Sequence, residues 1–240
     1  MKFGIIAAGE GSRLTAEGIE VPKPMIEVGG EHLIDRLMRI FMDNGAEEIV
    51  VICNDLTSLV SCHLAQVKEN GLYGRQVPLR FTVKSTPSSM HSFYEISEWL
   101  KDGPFVLTTV DTIFREDEFS QYVSYMKSMP ADGVMGVTDY IDDEKPLYVE
   151  TDSEMWITAF LDKSDSCKYI SGGIYGLSDK AIDSLDGCVR RGESRMRNFQ
   201  RSLISDGLCM KAWPFSKVLD IDHASDIVKA EAFINLKDKQ

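Results

Sequence analysis

The stretch that decides the fold reads Phe3-Gly4-Ile5-Ile6-Ala7-Ala8-Gly9-Glu10-Gly11-Ser12-Arg13. It opens as a short apolar run, the form of a buried strand, and passes directly into a glycine-rich turn. A flexible turn at the carboxyl end of a first parallel strand lies where open α/β sheets take their ligands. Gly9 and Gly11 leave backbone amides open to phosphate oxygens, and Arg13 adds a forked cation suited to the same groups. Ala7, Ala8 and Ser12 complete the candidate loop.

Working outward, residues 33–41 carry apolar side chains at helical spacing and close on Asn44-Gly45, a helix with its cap. The pattern then predicts a strand at 49–53, a helix at 58–70, a strand at 79–84, a helix at 93–100 and a strand at 105–110. Such alternation predicts an α/β domain with a mostly parallel sheet. After about residue 129 the texture turns β-rich, with strands expected at 133–140, 147–150, 155–161 and 169–177, and a hairpin turn at Thr151-Asp152-Ser153. Helices at 180–185 and 196–205, a strand at 209–215 and a final helix at 224–236 complete the chain. No internal repeat or low-complexity linker divides it.

The 240 residues are 43% hydrophobic and 27% charged, enough apolar material for one sizeable core. A formal net charge of -12 argues against a nucleic-acid partner, which requires clustered Lys and Arg. The five cysteines are odd in number and show no CxxC spacing, so neither a disulfide framework nor a zinc site is expected, and a reducing cytoplasm fits. The N-terminal apolar run is too short for a signal core or a membrane span, so no membrane partner is expected. The oligomeric state is left open, a homo-oligomer included.

A second element raises the value of the loop. Val21-Pro22-Lys23-Pro24-Met25 sets a lysine between two prolines, which is expected to hold Lys23 in an extended segment. Together the two stretches resemble the nucleotidyltransferase signature, GxGxR followed by PKP. That family includes the sugar-phosphate nucleotidyltransferases and the phosphocholine cytidylyltransferases. The similarity runs on through Gly29-Gly30 and returns at later points over most of the chain. It implies a Rossmann-like, mostly parallel sheet of the nucleotide-diphospho-sugar transferase type, with a β-rich acceptor-side insertion packed on it. Residues 1–240 then form one domain, with 1–129 as its nucleotide-binding half and 130–240 as its acceptor-side half.

By the same resemblance Arg13 and Lys23 are the catalytic cations, and Ala7, Ala8, Gly9, Gly11, Ser12, Ser89 and Asp111 join them around the nucleotide. Asp111 follows an apolar run, where a carboxylate can hold Mg²⁺; the plainer reading is a loop aspartate capping the next helix. Val110 precedes it where relatives have glycine. Asp222 resembles the second magnesium ligand, with Asp220 the second choice; aspartates before helices also serve as N-caps. Leu161-Asp162-Lys163 resembles the segment whose lysine meets the acceptor phosphate, with Ser164 in place of the usual proline. Gly172 and Gly173 resemble the acceptor-side strand that leaves room for a sugar, and a plain β-bulge is their other reading. In the base-recognition stretch Ser89 stands where a close-approach glycine is common, which leaves the base open. The three tryptophans read as packing residues, and the four histidines as no cluster of metal-ligand spacing.

The resemblance implies attack by an acceptor phosphate oxygen on the α-phosphorus of a nucleoside triphosphate, with release of pyrophosphate. A sugar phosphate leads as acceptor and phosphocholine follows. The alternatives are a molybdenum-cofactor nucleotidyltransferase and a non-catalytic nucleotide-sugar sensor. A dinucleotide-binding oxidoreductase is disfavoured, since Leu14 stands where GxGxxG needs its third glycine.

Overall fold

The computed structural model describes residues 1–142 and 144–235. The first half runs β1 (Lys2–Ala7), α1 (Ser12–Ala16), a 3₁₀ turn (Lys23–Met25), β2 (Glu27–Val28), β3 (Glu31–His32), α2 (Leu33–Asp43), β4 (Glu48–Cys53), α3 (Ser58–Asn70), β5 (Leu79–Val83), α4 (Ser89–Leu100), β6 (Phe105–Thr109), β7 (Thr112–Ile113) and α5 (Glu116–Ser128). The second half adds β8 (Gly133–Thr138), β9 (Tyr148–Thr151), β10 (Ile157–Leu161), β11 (Tyr169–Leu177), α6 (Asp179–Arg190), α7 (Met196–Ser205), β12 (Met210–Phe215), β13 (Leu219–Asp220) and α8 (Ala224–Asn235). Leu236, expected as the end of the last helix, lies outside the described residues.

Parallel pairs join β6, β1, β4 and β5, as the alternating pattern predicts. Side chains two apart on a strand share a face, and β1 sorts accordingly. Phe3, Ile5 and Ala7 enter one core layer with α2, α3 and α5, while Ile6 enters the other with α4, α6 and α7. Being buried on both faces is why this strand reads as a continuous apolar run.

Helices α6 and α7 of the second half pack on the face of the sheet, as the sequence suggests, but its strands β8 to β12 continue the sheet edge to edge. Ile174–Leu177 of β11 pair antiparallel with β6 on one side and with β8 on the other, and β9, β10 and β12 extend the same sheet. The join uses backbone hydrogen bonds, which leave no composition signal.

Two local expectations change. Helix α4 begins at Ser89, a turn before the apolar spacing starts, because Ser88 caps it by accepting from the His91 amide. Lys23 opens a 3₁₀ turn, closed by Met25 N–H to Pro22 O at 2.8 Å and Ile26 N–H to Lys23 O at 3.1 Å. A proline at the second position of a turn removes no hydrogen bond, since that amide is unpaired there in any case. It is Pro22 that is extended, with ψ 141.

The five cysteines are all free. Among the described residues no helix is long and apolar enough to cross a membrane. The tryptophans pack as expected, Trp213 on Tyr125, and Trp99 and Trp156 under Arg80 and Lys211.

Candidate active site

The chain leaves β1 through Ala8 and Gly9, and the Asn54 amide from the end of β4 braces this loop by donating to Gly9 O at 3.1 Å. Gly11 then adopts φ 64, ψ 27 as the residue before α1, a left-handed conformation that explains its glycine without reference to any ligand. Gly9 has open space where a side chain would stand. Ala7 is buried in the core, and Ser12 begins α1 on the exposed side, so neither lines the cleft described next.

Lys23 is the centre of the site. Its ammonium donates to Asp111 Oδ2 at 2.5 Å and to Asp222 Oδ1 at 2.9 Å, and Arg13 Nη1 donates to the other oxygen of Asp222 at 3.0 Å. Burial pulls the Lys23 pKa down, but the Asp111 charge, with help from Asp222, more than offsets it, and the net shift is upward. Lys23 and Asp111 are only 11% and 16% exposed, whereas Asp222 and Arg13 stand at 45% and 54%.

A small two-stranded ladder brings these distant residues together. β13 pairs with β7, Leu219 opposite Ile113 and Asp220 opposite Thr112, and the Ile221 amide donates to Asp111 O at 3.2 Å. Asp111 and Asp222 thus flank one ladder. Asp222 is not a helix cap. Asp226 Oδ2 accepts from the amides of Asp222 and His223, and Glu17 takes the Ala224 amide at 2.7 Å and the His223 ring at 2.6 Å. The amide of Ala224 and that imidazole hold the Glu17 carboxyl below its usual range, while Glu17 raises His223. The Asp222 carboxylate is thereby left for Lys23 and Arg13. Asp220 is exposed on β13 and faces the second of two hollows.

Those hollows meet at the charged group. One is lined by Ala8, Gly9, Gly11, Lys23, Ser89 and Asp111. The other is lined by Arg13, Ser171, Gly172, Asp220, Asp222 and Asp226, among others. Lys23 and Asp111 face the first, Arg13 and Asp222 the second, and the Lys23–Asp222 contact spans the seam. Val110 is buried and donates its amide to Ile6 O at 3.0 Å, so it anchors the turn that presents Asp111.

Gly172 and Gly173 form a bulge where the β11–β8 register shifts. Gly172 lines the second hollow. Gly173, at φ +70, would put a side chain 3.2 Å from Thr112 Oγ1, so its role is to let β11 pass the turn that carries Asp111. Lys163 is not brought to this group; it lines a neighbouring hollow, joined to the second through Glu144.

The histidines depart from expectation. His32 and His63 come together around Asp35, although 31 positions separate them in the sequence. The packing of α2 and α3 makes this cluster, and no spacing along the chain announces it. Asn54 and Glu17, which brace the loop and the last helix, also carried no sequence signal.

A family model described as "Nucleotidyl transferase" matches residues 4–236 of the chain. A glucose-1-phosphate cytidylyltransferase of Salmonella typhi is 22% identical over 204 residues, covering 78% of this chain and 78% of its own length. A mannose-1-phosphate guanyltransferase of Candida albicans is 24% identical over 193 residues, covering 78% of this chain and 52% of the relative. The solved structure of the inositol-1-phosphate CTP transferase from T. maritima superposes with a TM-score of 0.79 at 19% identity, over 98% of this chain and 96% of that one, a likeness of fold.

Proposed function

The chain belongs to the nucleotidyl transferase family, and from that premise we propose that it moves a nucleoside monophosphate from a nucleoside triphosphate onto a sugar phosphate, releasing pyrophosphate. The observation that carries this reading is the Lys23 ammonium held between Asp111 on one hollow and Asp222 on the other. A transfer between two substrates needs its charge-bearing groups at such a seam.

Asp111 and Asp222 fit Mg²⁺. Both are hard oxygen donors that reach a single nitrogen, and this ion takes one or two carboxylates plus substrate phosphates. Bound there, Mg²⁺ supplies neutralisation of phosphate charge during displacement. Lys23, charged throughout the neutral range, stabilises negative charge growing on the transferred group. Arg13, expected beside the nucleotide, lines the second hollow on the other side of Asp222, and there it orients the phosphate of the acceptor. No protein nucleophile is needed. Gly9 and Gly11 let the β1 loop approach the triphosphate, and Ser89, at the start of α4, stands at the far wall of the first hollow.

The acid-rich second hollow, with Asp142, Glu144, Asp220 and Asp226, suits sugar hydroxyls, which donate to carboxylates. The same acids favour a cationic head group such as choline as the second reading. Among the described residues, however, the lining holds no phenyl, phenol or indole ring, and quaternary ammonium groups are typically held over such faces. The relatives are named for both cytidylyl and guanyl transfer, so the base is a matter for assay.

The test is pyrophosphate release with each of the four common NTPs against a panel of sugar 1-phosphates and phosphocholine, with Mg²⁺ and with EDTA. Release that needs both an NTP and a sugar phosphate, and stops in EDTA, is the expected result. Full activity in EDTA removes the metal role; release with phosphocholine alone moves the assignment to the second reading. Nucleotide binding without turnover on any acceptor makes the chain a sensor.

A further inference from the structure

Asp35 sits in the first turn of α2 with its side chain only 6% exposed. A buried carboxylate is costly unless its oxygens are engaged. Here the partners are two imidazoles from different segments. His63 Nε2, from the middle of α3, lies 2.6 Å from Oδ1, and His32 Nδ1, from the end of β3, lies 3.1 Å from Oδ2. The two rings meet edge to face at 5.4 Å. The potential ligand atoms of the three residues all lie within 4.8 Å of one another. Glu27, on β2 and largely exposed, places a carboxylate oxygen 3.6 Å from His32 Nε2.

We propose that His32, Asp35 and His63 form a binding site for a transition-metal cation of the Zn²⁺ class, separate from the Asp111–Asp222 pair. Two imidazoles and one carboxylate are a donor set that zinc accepts. Imidazole also selects against Mg²⁺, which prefers carboxylate and water. Zinc–ligand bonds of about 2.0–2.2 Å in a tetrahedron put neighbouring donors about 3.4 Å apart, so this cluster closes on an ion with shifts of under about 1 Å. The cation neutralises Asp35, and water supplies the remaining position.

The site has a place in the fold. It ties α3 to the β2–β3 hairpin and to the start of α2, and the hairpin follows directly on the Lys23 turn. The Leu33 amide, next to His32, donates to Ile26 O at 3.0 Å, and the Ile26 amide donates to Lys23 O at 3.1 Å. The metal therefore clips the segment that leads from Lys23 into α2, and its action is on the rigidity of that segment.

The alternative is a metal-free Asp–His clamp, and direct titration separates the two. Chelator-treated full-length protein is titrated with Zn²⁺ by calorimetry and with Co²⁺ by visible absorption, beside His63→Gln and His32→Gln. One Zn²⁺ per chain is expected, together with intense Co²⁺ bands of tetrahedral character. Loss of either imidazole weakens Zn²⁺ by more than about a hundredfold, beyond what removal of an outer hydrogen-bond partner costs. Saturating Zn²⁺ raises the melting temperature of the parent protein, as any ligand of the native state does, and leaves that of the variants unmoved. Asp111→Asn and Asp222→Asn keep the Zn²⁺ affinity, which separates this site from the transfer centre. If His63→Gln does not fold, His32→Gln, at the more exposed of the two imidazoles, carries the same readouts. Equal Zn²⁺ affinity in parent and folded variant, or weak octahedral Co²⁺ bands throughout, would overturn the site and leave the clamp.

Discussion

Lys23 and Arg39 each stand between two carboxylates drawn from separate parts of the chain, and they could hardly be used more differently. Arg39 turns its fork to Glu31 at 2.7 and 2.8 Å and to Glu116 at 2.9 and 3.0 Å, engaging both acids in bidentate fashion. Lys23 meets Asp111 and Asp222 with two of its three N–H bonds, and each acid lines one of the hollows. The first cluster is closed: its geometry is satisfied within the protein. The second is open, and a phosphate can enter it without breaking the fold. Both are cations set among acids from separate parts of the chain, Arg39 with Asp43 as a third at 3.6 Å; what separates scaffold from site is where the remaining hydrogen-bonding capacity points.

The largest effect that follows is on Lys23. Lys23→Ala is expected to lower turnover by about two or more orders of magnitude, the scale of a lost electrostatic donor at a transferring group, and to lower the melting temperature as well, because Asp111, only 16% exposed, loses its cation. Arg13→Ala is expected to lower turnover with the melting temperature nearly unchanged, since the arginine is 54% exposed. Steady-state kinetics beside thermal denaturation checks both; a variant that melts much lower yet turns over normally would place its residue on the closed side of the comparison.

Next comes the division of labour between the two C-terminal aspartates. Asp222→Asn is expected to lower Mg²⁺-dependent turnover by roughly tenfold or more, and Asp220→Asn by less, because it is Asp222 that reaches the Lys23 ammonium and the Arg13 guanidinium. Magnesium titrations of the two variants, beside Asp111→Asn, decide the assignment. A greater loss at Asp220 would move the assignment two residues back, onto β13.

How much of this contrast could be read from the chain follows from its physics. β1, β4 and β6 are buried on both faces, so they stand out as apolar runs, and the loop and Lys23 announce themselves through glycine and proline at fixed positions. Asp111 and Asp222 could be named, but an extended backbone left Asp220 equally placed; only the ladder with β7, and the claim of Asp226 and Glu17 on the nearby amides, separates them. The Arg39 cluster, the Asn54 brace and the Asp35 histidines were hidden, because each joins residues on different elements through side chains whose spacing along the chain has no period. The edge-to-edge join at β11 was hidden for a related reason, being made by backbone atoms that every residue carries.

A smaller effect is expected from the closed cluster. Arg39→Ala leaves Glu31 and Glu116 with Arg36 alone, whose Nη1 lies 3.8 Å from Glu31 and 3.0 Å from Glu116. Arg39 is 23% exposed, and the two acids are 20% and 39% exposed, so the loss falls between that of a buried pair and a surface pair, about 1–2 kcal/mol. Denaturant unfolding measures it, and kcat is expected to stay within about twofold of the parent. A collapse of kcat with stability intact would show that the cluster belongs to the site.

The smallest effect tests why Arg39 is an arginine. Arg39→Lys keeps the charge but replaces a planar fork by a compact ammonium with three donors. The present geometry uses Nε, Nη1 and Nη2 to meet four carboxylate oxygens, and a single nitrogen cannot lie in the plane of both acids at once. If charge alone holds the cluster, lysine restores nearly all the stability lost in Arg39→Ala. If the bidentate contacts matter, as the distances imply, lysine recovers only about half, leaving a deficit of roughly 0.5–1 kcal/mol, since charge-assisted forks are stronger than single contacts. Adding salt sharpens the measurement: screening weakens the exposed lysine pairs more than the partly buried forks, so the gap between parent and Arg39→Lys widens with ionic strength. A gap that closes in salt would mean that long-range charge, and not the fork, distinguishes this cluster from the one around Lys23.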